Sequence, residues 1–423
     1  MLIEFKVSNF LSIKEAVVLS LDSTSSKKLS TNTFNELDYS LLKSVVIYGA
    51  NASGKSNIIN AILFALKIVH ESINFKVDTK INRTPYLLNR TNKSKPSKFE
   101  FTFIKNNIRY VYGFSCTENG FVEEYLRYKP RGENWKFYFK RDERSKEKSK
   151  RFKFNVDAKK QETWGDETIE KRLYLPVAVN DRNYEPLKEV YDFIVKDIVV
   201  VMGTFNDNWR RYTRNRLIND AKFKSWVLEV MRKADFGGIV DLVVEKQKVP
   251  LHGIELKIEK GLLSHKQLED KEEEIYNLRY IHKNEKGESV EFKENLESAG
   301  TNKTLDILGP IYNILETGKT LFIDEFELHL HPNITEFIIK LFHGKHNKKN
   351  GQLIVTTHDT TLLKNKGLFR LDQVYICSKD PNKWTELKSL ADFDLRDSLS
   401  FENAYLNGRV GGLPFIDETF FEG

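Results

Sequence analysis

The sequence predicts an α/β protein whose central sheet leads into a glycine-containing loop and a helix, with an antiparallel lobe beside it. Three observations carry this expectation. An apolar run, Ser44–Tyr48, precedes Gly49-Ala50-Asn51-Ala52-Ser53-Gly54-Lys55-Ser56, and a periodic apolar segment, residues 57–66, follows. Two later apolar runs end in Asp324-Glu325 and in His358. Residues 98–127 alternate as short strands with turn residues between them.

The loop fits G-x-x-x-x-G-K-[ST] in the strand–loop–helix context that gives this motif a physical meaning. Gly49 and Gly54 let the backbone curl so that successive N–H groups face an anion, and the helix beginning near Lys55 adds its positive dipole end. Gly49, Asn51, Ser53, Gly54, Lys55, Ser56 and Asn57 are therefore the candidate phosphate-binding residues. Lys55 is expected to reach the β- and γ-phosphates, and the Ser56 hydroxyl to coordinate Mg²⁺. The implied ligand is a nucleoside triphosphate.

At 423 residues the chain suits two or three domains, and 40% hydrophobic with 30% charged residues suits a globular core. A net charge of +7 is mild for this length and does not by itself argue for DNA. The two cysteines, Cys116 and Cys377, form no C-x-x-C pattern and suit a reducing compartment. The start lacks a signal peptide's apolar region, and no stretch approaches the ~20 apolar residues of a membrane helix. A cytoplasmic protein with no membrane partner is expected.

Residues 320–325 read as a buried strand ending in two carboxylates. Asp324 is placed to hold Mg²⁺, and Glu325 to polarise an attacking water. Upstream, Ser298 and Gly300 stand at a helix start and could form a second anion site. Downstream, His358 ends another apolar strand, well placed to touch a γ-phosphate.

The order of these parts resembles the ATP-binding cassette (ABC) ATPases, in the branch that contains SMC proteins, Rad50 and RecF. The resemblance covers residues 1–60 and 290–380, including the opening Phe5-Lys6-Val7-Ser8-Asn9-Phe10-Leu11-Ser12. It implies that Ser298-Ala299-Gly300 is the signature motif, contacting the γ-phosphate bound to a second subunit. It also implies that Glu325 is the hydrolytic glutamate and His358 the switch histidine. Residues 327–332 then occupy the D-loop place at a dimer interface. No glutamine lies between Lys55 and Gln161, so no Q-loop is assigned.

The stretch between Lys55 and Ser298 is too long for a transporter's nucleotide-binding domain, and it sustains no heptads. Its most helical charged stretch, residues 266–276, is short. This excludes SMC and Rad50 proper. Strand pairs are expected at 135–139 with 152–156, a mostly helical insertion near 161–235, and strands again at 239–244 and 254–258. The expected division is therefore 1–160 with the β-lobe, a 161–235 insertion, and 236–423 completing the head. Glu297-Ser298-Ala299-Gly300-Thr301 and the tail from Tyr405-Leu406 through Gly408-Arg409 and Gly411 to Pro414 are similar to stand-alone bacterial ATPases of the OLD-like group. That resemblance implies a nucleotide-gated homodimer that regulates a separately encoded effector, a toxin or nuclease, in anti-phage defence.

The alternative is a RecF-like DNA-binding ATPase. Lys140–Lys153 and Arg210–Arg216 are its candidate nucleic-acid contacts, with Trp209 or Tyr212 for stacking. Asp392, Asp394 and Asp397 read as a turn or helix cap rather than a nuclease centre. His329 and His331 read as interface residues rather than metal ligands.

Overall fold

A strand flanked by protein on both faces needs a continuous apolar run, and Ser44–Tyr48 is buried at every position. In this computed structural model, which describes residues 1–147, 150–202, 207–236, 238–250, 254–259, 262–267, 272–394 and 401–413, that strand lies inside a six-stranded sheet. Its order is Ile198–Val201, Thr320–Ile323, Gln352–Thr356, Ser44–Tyr48, Val374–Lys379, Thr385–Ser389. The first five strands pair in parallel and the last is antiparallel. Parallel neighbours bring their carboxyl ends to one edge, where open α/β sheets bind ligands.

The chain divides into two compact units, one of Met1–Gly203, Ile314–Leu328 and Thr335–Gly423, the other of Thr204–Asn313 and His329–Ile334. The first unit contains the six-stranded sheet and a seven-stranded antiparallel one. The latter's order is Phe152–Phe154, Lys136–Asp142, Gly120–Pro130, Ile108–Thr117, Ser97–Lys105, Leu2–Ser8, Val17–Ser20. Phe99, Phe101 and Phe103 recur at the strand period of two and are all buried. One hydrophobic cluster joins Phe99 and Phe101 of this sheet, Ile58, Ile62 and Ala65 of the Lys55–Glu71 helix, and Val45, Phe322 and Ile354 of the six-stranded sheet. The helix that follows the loop is thereby fixed by the cores of both sheets.

The α/β class with a large antiparallel lobe is as expected, as are the strands near 98–114 and the pairing of Lys136–Asp142 with Phe152–Phe154. Within 161–235 the chain also forms the edge strand Ile198–Val201, where four consecutive β-branched residues favour extended backbone over helix.

The second unit carries the helices Asp207–Asn219 and Ala221–Lys233 and the sheet of Ile239–Pro250, Glu272–Lys283 and Ser289–Lys293. A hairpin, Ile254–Glu259 with Leu262–Gln267, completes it. Of the stretch 266–276, the most helical by composition, residues 266–267 end the strand Leu262–Gln267 and 272–276 begin the strand Glu272–Lys283, while 268–271 lie outside the described residues. Leu278 and Tyr280 are buried at a spacing of two on the second of these strands. Pairing along Ile239–Pro250 overrides the helical propensity of Glu. Among the described residues no helix is long and apolar enough to cross a membrane. Lys148, Asp397 and Pro414 lie outside the described residues.

Candidate nucleotide site

The loop between Tyr48 and Lys55 is folded around positions that only glycine can fill. Gly54 has φ +111°, and a Cβ there would lie 2.1 Å from Thr385 Oγ1. A Cβ on Gly49 would meet the Cys377 carbonyl oxygen at 2.2 Å. The loop is thus wrapped tightly against the Val374–Lys379 and Thr385–Ser389 strands. Thr385 Oγ1 donates to the Ser53 carbonyl at 2.9 Å and lies 2.7 Å from Ser12 Oγ, which accepts from Asn57 Nδ2 at 2.6 Å. The Cys377 thiol approaches the same Ser53 carbonyl at 3.6 Å, and burial pushes its pKa up to about 11. On the other side, Ala50 N–H donates to the Gly412 carbonyl at 2.7 Å, which also accepts from Tyr405 Oη at 3.0 Å. The expected phosphate-loop residues therefore divide. Asn51 is exposed, Ser56 is half-buried at the first turn of the helix, Ser53 is buried, and the Asn57 amide is turned to Ser12.

Lys55 is buried, and its Nζ donates to the Gly49 carbonyl at 2.7 Å and the Ala50 carbonyl at 3.2 Å. It lies 3.4 Å from His358 Nδ1. Burial lowers the Lys55 pKa, with Cys377, Glu327, Asp324 and Glu325 acting in the opposite sense. Partial burial, then the Lys55 charge, holds the His358 imidazole below its ordinary value. The Lys55 charge and partial burial thus both favour the neutral imidazole, and Glu327, Glu325 and Asp324 act in the opposite sense on both groups.

That strand end is built from Thr320–Ile323. Asp324 is buried, and its N–H extends the ladder to Val201 O at 3.0 Å. Thr356 Oγ1, on the adjacent parallel strand, donates to Asp324 Oδ1 at 2.5 Å and accepts from Glu325 N–H at 2.9 Å. Glu325 adopts φ +51° and its side chain is exposed. Glu327 Oε1 accepts the His358 N–H at 2.6 Å. Lys55, Asp324, Glu325 and His358 thus meet at one sheet edge, as their strand-end positions imply.

Mg²⁺ fits this edge. Asp324 has one oxygen fixed by Thr356, and the Ser56 hydroxyl stands at the start of the helix after the loop. Among the described residues no cluster of three His, Cys, Asp or Glu could hold a metal unaided. Mg²⁺ is commonly held by one or two protein oxygens together with substrate phosphates, and this donor set matches that habit.

Ser298 and Gly300 lie in the second unit. Ser298 Oγ caps the helix Ala299–Thr317 by accepting from Thr301 N–H at 3.0 Å, and a Cβ on Gly300 would come 2.9 Å from the His329 carbonyl. His282 Nε2 sits 2.6 Å from Glu297 Oε1, and Tyr280 Oη donates to Asn302 Oδ1 at 2.8 Å. These contacts fix the helix start against the Glu272–Lys283 strand.

The basic segments are largely engaged with the protein's own acids. Arg141 is fully buried beside Glu124 and Glu143, Arg144 pairs with Asp142 and Glu123, and Lys150 with Glu147. Arg214 is buried, bidentate on Glu294 at 2.8 and 2.9 Å and 3.3 Å from Asp306. Arg210 pairs with Asp306, Arg211 with Glu273, and Arg216 with Asp220. Asp392 caps a helical turn through the Ser389 N–H at 3.0 Å.

Sequence comparison matches residues 44–364 to the family described as "AAA domain, putative AbiEii toxin, Type IV TA system". The chain belongs to this family. The matched span holds Lys55, Ser298, Asp324, Glu325 and His358, and a domain of this kind supports binding and hydrolysis of ATP with Mg²⁺. No curated protein matches the sequence significantly. Among solved structures, the chain is similar to an SMC head domain from Thermotoga maritima, at 16% identity and TM-score 0.39 over 92% of this chain and 98% of that one. It is likewise similar to the Smc head domain with an extended coiled coil bound to the C-terminal domain of ScpA from Pyrococcus furiosus. That match has 14% identity and TM-score 0.42 over 97% of this chain and 98% of the other.

Sequence reasoning found the loop, the carboxylate pair and the histidine. It missed Ser12, Thr356, Thr385 and the Gly412 carbonyl, which position them. The Thr385–Ser53 contact spans 332 residues, and no local pattern marks such a partner. A strand-end threonine beside a strand-end aspartate, as at Thr356, is the one signal that was available.

Proposed function

We propose that this protein is an ATP-hydrolysing, nucleotide-gated dimeric switch that regulates a separately encoded effector. The observation that carries the reading is the convergence of Lys55, Asp324, Glu325 and His358 on the carboxyl edge of three adjacent parallel strands. Lys55 exchanges the Gly49 and Ala50 carbonyls for β- and γ-phosphate oxygens, a charge-assisted contact stronger than the one it leaves. Ser56 and Asp324 would hold Mg²⁺, which would supply charge neutralisation of the phosphates. Glu325, exposed at its turn, accepts a proton as water attacks the γ-phosphorus and the bond to the ADP oxygen breaks. His358, beside Lys55, donates to the departing phosphoryl group. Ser298 and Gly300 of a second subunit complete the γ-phosphate contacts, so that binding shifts an open pair to a closed one.

A toxin–antitoxin setting is supported by the family description, while anti-phage defence rests on the OLD-like resemblance alone. The RecF-like reading is weakened by the ion pairs that occupy Arg210, Arg211, Arg214 and Arg216. Glu325→Gln, expressed with its neighbouring genes, purified with ATP and weighed by native mass spectrometry, tests the proposal. A second protein at fixed stoichiometry supports the effector reading. Dimers carrying nucleic acid alone support the DNA-binding one, and an ATP-bound monomer sinks the switch.

A further inference from the structure

The turn that follows Asp324 holds a third carboxylate, and its surroundings differ from those of the other two. Phe326 is fully buried, and its N–H donates to the Thr356 carbonyl at 3.0 Å, while Leu328 N–H closes onto the Glu325 carbonyl at 3.1 Å. Anchoring the turn at Phe326 leaves Glu325 exposed and sets Glu327 against the strand end at Thr356–His358. There Glu327 Oε1 accepts the His358 N–H at 2.6 Å. Glu327 Oε2 is shut off from solvent and has no hydrogen-bond partner among the described residues. Native proteins rarely leave a buried polar atom in this state, because it loses its water without gaining a partner. The carboxylates that act on both Lys55 and His358 in this cleft are Asp324, Glu325 and Glu327, and Cys377 also faces Lys55. Among these carboxylates Glu327 alone makes a hydrogen bond to the His358 backbone.

We infer that Glu327 is a positioning residue of the nucleotide site. One of its oxygens holds the His358 backbone in place. The other keeps an enclosed negative charge beside Lys55 and His358, so that the imidazole and the ammonium sit together where a γ-phosphate binds. Glu325 handles the water and Glu327 handles the histidine. The inference rests on the ATPase reading above and adds a residue to it.

Glu327→Gln keeps an oxygen for the His358 N–H and loses the charge, whereas Glu327→Ala loses both. Steady-state ATPase assays are expected to show kcat falling roughly 10-fold for Gln and roughly 100-fold for Ala. KM for ATP should stay within about 3-fold in both, with folding checked by thermal melting. A purely structural stitch predicts instead that Gln restores wild-type kcat in full, and that result would overturn the inference. Amide hydrogen exchange at His358 reads the same bond without turnover. It should be roughly 10-fold faster in Ala than in Gln, and equal rates would also overturn it. If the wild type binds ATP without hydrolysing it, the ATPase reading fails, while the exchange result still decides whether Glu327 anchors His358.

Discussion

Substituting Gly54 by alanine tests whether the loop is held by close contact with a distant strand. The new methyl would meet Thr385 Oγ1 at 2.1 Å, Thr385 Cγ2 at 2.9 Å and Ser12 Oγ at 3.0 Å, at a φ of +111° that L-residues rarely adopt. Backbone strain of this kind costs about 1–3 kcal/mol. Pushing Thr385 aside also breaks its bonds to the Ser53 carbonyl and Ser12, at about 1 kcal/mol each. The expected destabilisation is therefore roughly 3–5 kcal/mol, a large part of the stability of most domains. Urea denaturation followed by tryptophan fluorescence measures it, and a fluorescent ATP analogue measures the accompanying loss of affinity. Thr385→Ala alone should cost about 2 kcal/mol, and Gly54→Ala/Thr385→Ala should be no worse than Gly54→Ala, because the second change removes the obstacle. A Gly54→Ala protein within about 0.5 kcal/mol of wild type would refute the packing argument. Strict additivity of the pair would refute the role given to Thr385.

His343 and Arg214 give two further tests. His343 is buried with Nε2 2.7 Å from Ser44 Oγ, and desolvation lowers its pKa from 6.5 to about 3. A depressed pKa contributes stability above the unfolded value that is lost as pH falls from about 6.5 toward 3, so roughly 2 kcal/mol should disappear between pH 7 and pH 5. His343→Asn should flatten that slope, and identical urea midpoint shifts in both proteins would show that another group is responsible. Arg214→Met should destabilise the protein by about 3–5 kcal/mol by leaving Asp306 and Glu294 short of their cation, whereas Lys146→Glu on an exposed loop should change it by less than about 0.5 kcal/mol. Weaker DNA binding by a fully stable Arg214→Met protein would restore a nucleic-acid role to this helix.

What could be read in advance follows from the range of the forces involved. The phosphate loop is a local device, because two glycines, a lysine and a helix start lie within eight residues and each has a backbone reason to be there. The buried strands were legible for a similar reason, since a run such as Thr320–Ile323 can be satisfied only by neighbours on both faces. Residues 272–276 look helical by composition because Glu favours helices when nothing else intervenes, and pairing with Ile239–Pro250 intervenes. The arginines at 210–216 looked available because charge is visible in a sequence, while the acids that absorb it lie on other elements. Glu294 and Asp306 are 80 and 92 residues from Arg214. The same distance hid Thr385 and Gly412 from any reading of the loop.

The placement of Glu327 shows how two carboxylates in one short turn come to face different surroundings. Phe326 stands between Glu325 and Glu327, and its burial commits the turn to a single seating. With that residue anchored, the left-handed conformation at Glu325 swings its carboxylate into solvent, where a water can reach it. The next step of the chain returns Glu327 to the strand end at His358. Exchanging Phe326 for a small residue should therefore loosen both glutamates at once. Their surroundings are separated by one aromatic side chain more than by their own chemistry, since both are the same residue type two positions apart.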